Sequence, residues 1–161
     1  MIRRLATGCR LLLAGVWLYA GATKVSDLAA ATRAVKAYQL LPNPVAEVVG
    51  AALPMVELAL GLLLLLGLAT RFAAAASAVL MAGFVAGIAA AWSRGLRIDC
   101  GCFGGGGQLG AGESPNYWLD LARDGLLLVA AVVLVSWPRT RWSVDGWLAA
   151  RPALSADDAQ P

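Results

Sequence analysis

The sequence predicts an all-α integral membrane protein, a four-helix bundle with a short amphipathic helix between its first two spans. Three observations indicate this fold class. The 161-residue chain is 60% hydrophobic and 14% charged, and its mean hydropathy is +0.70, far more apolar than a soluble domain. Its apolar residues fall into four runs of roughly 20, the length that crosses a bilayer. Its arginines and tryptophans gather near the ends of these runs, as membrane-interface residues do.

The four apolar runs supply the predicted membrane spans. They lie at about residues 5–24, 44–67, 72–92 and 117–137. The third run contains no charged residue, whereas the fourth carries three charged residues in its first turns. Aromatic side chains at both ends of the fourth run still favour a span there.

Residues 27–41, between the first two spans, predict an amphipathic helix that lies at the membrane surface. Its apolar positions recur at helical spacing on one side: Leu28, Ala31, Val35, Tyr38 and Leu41. Arg33 and Lys36 fall elsewhere on the helix. Pro42 and Pro44 follow it and end it.

Residues 93–116 predict a glycine-rich loop within the membrane domain of residues 1–137, because this stretch is too polar to lie in lipid. Ser114 and Pro115 are expected to be the N-cap and the first-turn proline of the last span. Residues 138–161 predict a polar tail with a disordered end.

The charge and composition exclude several classes of protein. The chain contains no histidine, the commonest metal ligand and general base, which argues against most hydrolases and haem proteins. A net charge of +3 would suggest nucleic acid in a soluble protein. Here the basic residues flank apolar runs, so the lipid bilayer is the expected partner and nucleic acid is not.

The distribution of these cations also predicts an orientation. With four spans both termini share one membrane face, and that face carries slightly more Lys and Arg than the other. The positive-inside rule then places both termini in the cytoplasm of a bacterium whose inner membrane the protein crosses several times. The glycine-rich loop would face outward, where disulfides persist.

Cys100 and Cys102, separated only by Gly101, are the leading candidates for chemistry. The pair can cycle between dithiol and strained disulfide, and strained, exposed disulfides tend to be catalytic. A permanent structural disulfide, or two inert thiols in a tight turn, is the alternative, and a metal site ranks last because two cysteines leave a zinc site short of ligands. Cys9 lies near the start of the first span, away from the loop, and is expected to be a small buried apolar residue.

Charged residues near the pair would tune its reactivity. Arg94 and Arg97 lie shortly before Cys100 and would favour a thiolate, whereas Asp99 would oppose it. The cluster of Asp120, Arg123 and Asp124 on the last span is expected to be an interfacial salt-bridge set, with a role in the redox site as the alternative.

Glu57 is the second informative residue, because it lies deep in the second span, where a charge is costly unless it is paired. Counting depth along antiparallel spans predicts Arg10 as its partner, and Lys24 as too shallow. Glu57 can serve as a proton site or as a structural contact between helices. Trp17, within the first span, can likewise stack on a quinone ring or pack in the core.

Five short motifs run in a characteristic order along the chain. They are Gly-Ala-Thr-Lys at 21–24, Tyr-Gln-Leu-Leu-Pro at 38–42, Leu-Pro-Met-Val-Glu at 53–57, Arg-Gly at 94–95 and Asp-Cys-Gly-Cys-Phe-Gly at 99–104. In order and spacing they resemble the MauE branch of the DoxX-like membrane proteins, named for methylamine utilisation. The resemblance implies a four-helix membrane bundle. It also implies a role in maturing disulfides of partner proteins, which in methylamine users means methylamine dehydrogenase.

These observations predict a membrane redox protein that exchanges electrons or disulfides with an extracytoplasmic thioredoxin-fold partner through Cys100 and Cys102. A membrane quinone is the natural electron carrier, by analogy with other four-helix thiol oxidoreductases. Two alternatives stay open. One is a non-catalytic assembly subunit whose disulfide closes the loop. The other is a small bundle that binds lipid or quinone, with Glu57 and Arg10 as polar anchors.

Overall fold

The computed structural model describes residues 2–101, 106–110 and 114–148, and this part of the chain is mostly helical. Its five long elements are α1 Ile2–Val25, α2 Leu28–Ala37, α3 Asn43–Leu66, α4 Thr70–Ser93 and α5 Tyr117–Ser136. Two short strands, β1 Ile98–Asp99 and β2 Gly107–Gln108, pair antiparallel in the loop between α4 and α5.

Three of the helices, α1, α3 and α4, are long and apolar enough to cross a membrane. They match the first three predicted spans to within a few residues. Helix α5 has 20 residues and charged side chains in its first turns. Those charges face the protein, while its outward face exposes Leu119, Leu126, Val129 and Val132. The fourth span therefore stays a prediction.

Glycines set the register between α1 and α3. A Cβ on Gly21 would lie 2.7 Å from Cγ of Leu58, and one on Gly61 would lie 2.7 Å from Cγ of Leu18. The antiparallel helices therefore approach closely along this line. The pairing brings the end of α1 level with the middle of α3, so the two helices are offset by several turns.

The core between α1, α3, α4 and α5 is made of small and aliphatic side chains around Trp17. Trp17 is 1% exposed, and its indole N–H donates to Oγ of Ser77 at 2.8 Å. Its ring lies tilted against Phe84 with 6.3 Å between centroids. This confirms core packing for Trp17. Half-buried Cys9 packs against the same core, as expected.

Helix α2 forms as predicted but with a different buried face. Asp27 caps it by accepting a hydrogen bond from the N–H of Ala30 at 2.8 Å. The buried positions are Ala31, Ala34 and Ala37, whereas Leu28 and Leu41 are both 41% exposed. The predicted apolar side was therefore wrong in part. The reason is close packing: a Cβ on Gly50 of α3 would lie 2.6 Å from Cα of Thr32, so small residues face α3.

The start of α5 also differs from the prediction. The helix begins at Tyr117, after Asn116, which makes no side-chain cap hydrogen bond, so Ser114 and Pro115 lie before the helix. A tertiary contact fixes this turn instead. The Tyr117 hydroxyl accepts from the N–H of Ile98 at 3.1 Å and donates to the carbonyl of Leu96.

The segment after α5 folds back on the opposite end of the bundle. Both carboxylate oxygens of Asp145 accept hydrogen bonds of 2.8 Å, from the N–H groups of Ala69 and Thr70 at the start of α4. Burial alone would raise the pKa of Asp145. The hydrogen bonds and the nearby Arg10 guanidinium outweigh it and hold this pKa below its ordinary value. The predicted disordered end of the tail lies outside the described residues.

Candidate functional site

Cys100 lies where α1 ends, α4 ends and α5 begins, in a turn held against α2. The turn needs glycine twice: Gly101 has φ 65°, and a Cβ on Gly106 would lie 2.6 Å from Cα of Gly101 and 2.7 Å from Cβ of Ala34. The Tyr38 hydroxyl donates to the carbonyl of Cys100 at 3.0 Å. These contacts anchor the half-buried cysteine to the helical bundle.

Arg94 contacts the end of α2, and its expected effect on the Cys100 thiol stays a prediction. Its guanidinium donates to the carbonyl of Tyr38 at 2.5 Å and to that of Gln39 at 3.4 Å. These carbonyls lie just after the end of α2, where a cation satisfies acceptors that the helix leaves open. Arg94 therefore positions Tyr38, which in turn holds the Cys100 turn.

Arg97 and Asp99, the other charged residues expected to act on the pair, are exposed. The carboxylate of Asp99 accepts from the N–H of Gly101 at 3.5 Å, a long hydrogen bond within the turn. The carbonyl of Arg97 accepts from the N–H of Leu109 at 3.0 Å and continues the strand pairing. The proposed effect of the Arg97 and Asp99 charges on the thiol stays a prediction.

The cation at the sulfur comes from α5. The Arg123 guanidinium lies 3.5 Å from Sγ of Cys100 through Nη2. Its other nitrogens contact Asp120 at 3.1 Å and Asp124 at 2.8 Å. Asp124 is 2% exposed. The cluster is therefore a salt-bridge set, as expected, and it also reaches the cysteine.

Sequence reasoning assigned Arg123 only a secondary part in the site. The available signal was the pair of aspartates four residues apart with an arginine between them, in an otherwise apolar helix. Such charges in a membrane segment face the protein and mark function. Which loop residue they meet depends on tertiary packing, which the spacing does not reveal.

Glu57 pairs with Lys24, and the predicted Arg10–Glu57 contact was wrong. Nζ of Lys24 lies 2.5 Å from Oε1 of Glu57, and the two side chains are 6% and 0% exposed. The ammonium also lies 5.9 Å from the centre of the Phe84 ring. The prediction assumed that α1 and α3 start and end at the same levels. The offset set by their glycines instead brings Lys24 beside Glu57.

Arg10 is buried at the opposite end of the bundle. It is 2% exposed and donates to the carbonyls of Arg141 and Trp142 at 3.2 and 3.1 Å. Its guanidinium leaves no room for a side chain at Gly67, which has φ 66° between α3 and α4. Arg10 therefore holds the segment after α5 rather than Glu57.

Two small cavities extend the site from the cysteine into the bundle. One of about 50 Å³ lies between Lys24 and Cys100 and is also lined by Tyr38. Another of about 10 Å³ is lined by Glu57 and Asp124. The second carboxylate oxygen of Glu57 has no hydrogen-bond partner among the described residues. The polar side chains that line the two cavities thus lie between the sulfur of Cys100 and the middle of α3.

These volumes limit what the two cavities can hold. The larger has room for a few water molecules, since one water needs about 10–15 Å³ of such space. The quinone expected from the sequence stays a prediction. Within the described ranges no group of three or more Cys, Asp or Glu side chains is placed to hold a metal ion. Cys102 lies outside the described residues.

Chemically, the arrangement offers a thiol next to a guanidinium that two carboxylates hold in place. A neighbouring cation favours the thiolate, the form that attacks disulfides. The buried carboxylates of Glu57 and Asp124 line the smaller cavity.

Comparison with known proteins identifies one matching protein family. The profile of the family described as methylamine utilisation protein MauE matches residues 2–136. The methylamine utilization protein MauE of Paracoccus denitrificans is 30% identical over 128 residues, which cover 79% of this chain and 66% of that protein. The chain thus spans just under two thirds of that relative's length. No solved structure matches it significantly.

Proposed function

Because this chain belongs to the methylamine utilisation protein MauE family, we propose that it is a membrane thiol–disulfide exchange protein. Cys100 and Cys102 exchange with the cysteine pair of a thioredoxin-like partner outside the cytoplasm. The exchange serves disulfide maturation during methylamine utilisation, in which methylamine dehydrogenase is the target that needs its disulfides formed.

The contact between Arg123 and the sulfur of Cys100 carries this proposal. A guanidinium 3.5 Å from a half-buried sulfur supplies a charged donor that favours the thiolate, whereas structural cysteines are usually buried among apolar groups. Asp120 and Asp124 keep the guanidinium in place. Tyr38 fixes the backbone of the turn, so a partner meets a preorganised thiol.

The exchange balances without any further reactant. A thiolate of one pair attacks the disulfide of the other, one S–S bond forms as the old one breaks, and the released sulfur takes up a proton. The second thiol of the attacking pair then loses its proton and displaces the mixed disulfide. One protein is left oxidised by two electrons, and the other has gained two electrons and two protons.

We place α5 in the membrane as a fourth span. Its lipid-facing side is apolar, with Leu126 at 72% and Val129 at 60% exposure, and its charged residues face the protein. Four spans put both termini on one face, and the excess of cations there makes that face cytoplasmic. Cys100 then opens to the outside, where disulfide chemistry is possible.

Thiol trapping in intact cells tests the proposal. A membrane-impermeant maleimide should label the reduced fraction of the Cys100–Cys102 pair, and Cys102→Ser should accumulate a mixed disulfide that mass spectrometry identifies. Cys9→Ser is the matched control, because Cys9 lies near the other end of the bundle and its loss should change neither result. A permanently oxidised pair with no trapped partner would instead support a non-catalytic assembly subunit.

A further inference from the structure

An open cavity of about 570 Å³ lies at the end of the bundle away from Cys100, where α4 begins and the segment after α5 folds back. Three arginines line it, namely Arg3, Arg71 and Arg139. All three are exposed. Among the described residues none of them forms an ion pair. Three cations thus converge on one concave surface without a carboxylate partner.

The position of Arg71 is unfavourable for its helix unless an anionic ligand binds there. Arg71 stands in the first turn of α4, whose first turn contains no acidic residue. A cation there opposes the helix dipole. Asp145 also lines the cavity, but both its oxygens already accept backbone hydrogen bonds at the start of α4. Its charge is therefore committed to the helix rather than to the arginines.

Two buried hydroxyls on the same cavity wall lack partners. Thr70 and Thr140 are 1% and 4% exposed, and neither Oγ1 has a hydrogen-bond partner among the described residues. A buried hydroxyl without a partner is costly. Phosphate oxygens are the strong acceptors that such donors and three arginines would share.

The cavity also offers an apolar side. Phe72, which lines it, is 70% exposed and begins the lipid-facing surface of α4. A ligand with a phosphate group and attached hydrocarbon fits this pairing of charge and apolar surface better than free phosphate does. Basic pockets at the ends of membrane helices bind anionic lipid headgroups in this way.

We propose that this cavity binds the headgroup of an anionic phospholipid. Arg3, Arg71 and Arg139 hold the phosphate, and the acyl chains run along Phe72 and the outer face of α4. The three arginines outnumber the one carboxylate, which favours an anionic lipid over a zwitterionic one. The site is independent of Cys100, so its test does not depend on the redox proposal.

Native mass spectrometry of the full chain in detergent, titrated with cardiolipin, tests this site. The double variant Arg71→Gln/Arg139→Gln should bind about 25-fold more weakly, since each cation near an anionic lipid contributes about fivefold. Arg33→Gln, which removes one arginine charge from the surface of α2, should bind like the wild type. Arg71→Lys/Arg139→Lys should remain within a few-fold of the wild type.

Two measurements on the unaltered protein keep the proposal testable if a variant misfolds. Affinity for cardiolipin should fall as sodium chloride rises, because exposed charges are screened. Phosphatidylcholine should bind much more weakly than cardiolipin. Equal binding of both lipids, an affinity independent of salt, or equal losses in Arg33→Gln and the double variant would overturn the site. Displacement of the lipid by millimolar inorganic phosphate would show that free phosphate is the ligand and would also overturn it.

Discussion

Replacing Lys24 by methionine should destabilise the protein strongly, because it leaves the buried carboxylate of Glu57 without its ion-pair partner. The two charges are 2.5 Å apart and the side chains are 6% and 0% exposed. At this separation the attraction is about 7 kcal/mol for an effective dielectric constant of about 20. Breaking a buried pair from one side costs about 3–5 kcal/mol in measured cases. We expect the same range for Lys24→Met and for Glu57→Met.

The double variant Lys24→Met/Glu57→Met should recover most of this loss, because two apolar side chains of similar volume replace two buried charges. It should remain about 1 kcal/mol below the wild type, since Phe84 loses the ammonium over its ring. Thermal unfolding of the four proteins in one detergent measures the double-mutant cycle. A wild-type melting temperature for Lys24→Met, or a double variant as unstable as the two losses added, would refute the buried ion pair.

Three further perturbations test other contacts. Gly21→Ala should cost about 1–3 kcal/mol because its methyl group overlaps the facing helix, whereas Gly15→Ala, with nothing within 4 Å, should be neutral or stabilising; thermal melts of both compare them. Asp145→Asn should lower stability at pH 7 by about 1 kcal/mol through loss of a helix cap. The pKa of Asp145 lies below its ordinary value of 3.8 in the folded protein, so its carboxylate stabilises the fold above pH 3.8 and this stabilisation is lost as the pH falls further. The free energy of unfolding of Asp145→Asn should therefore change less with pH in acid than that of the wild type. Arg123→Gln should slow alkylation of Cys100 about tenfold at pH 7, equivalent to about 1.4 kcal/mol, while Arg123→Lys should retain most of the rate; equal rates for both would argue against the guanidinium contact.

The helices could be located from the sequence because their cause is local. A run of about 20 apolar residues has few stable forms in a bilayer other than a helix. The three spans that the structure supports therefore agree with the prediction to within a few residues. The cap of α5 could not be read in this way, because a hydroxyl from Tyr117 reaching the preceding loop fixes it.

The pairing of charged residues depends on how helices slide past one another. Close packing at Gly21 and Gly61 offsets α1 from α3. Because of this offset, Glu57 pairs with Lys24 and not with Arg10. Arg123 meets Cys100 across 23 residues of sequence. Spacing along a chain does not reveal such contacts, so the sequence could single out Cys100 as a candidate but not the residues that contact it.

The way the Cys100 turn is held determines where the loop can change length. The strand pair fixes residues 98–99 against 107–108, Gly106 touches Gly101 and Ala34, and Tyr38 holds the carbonyl of Cys100. Insertions or deletions between Leu109 and Asn116 should therefore leave the thiol in place. A single residue added between Leu96 and Cys100 would shift the strand register and move the sulfur away from Arg123. We therefore expect related proteins to vary in length in the first of these stretches and to keep the length of the second.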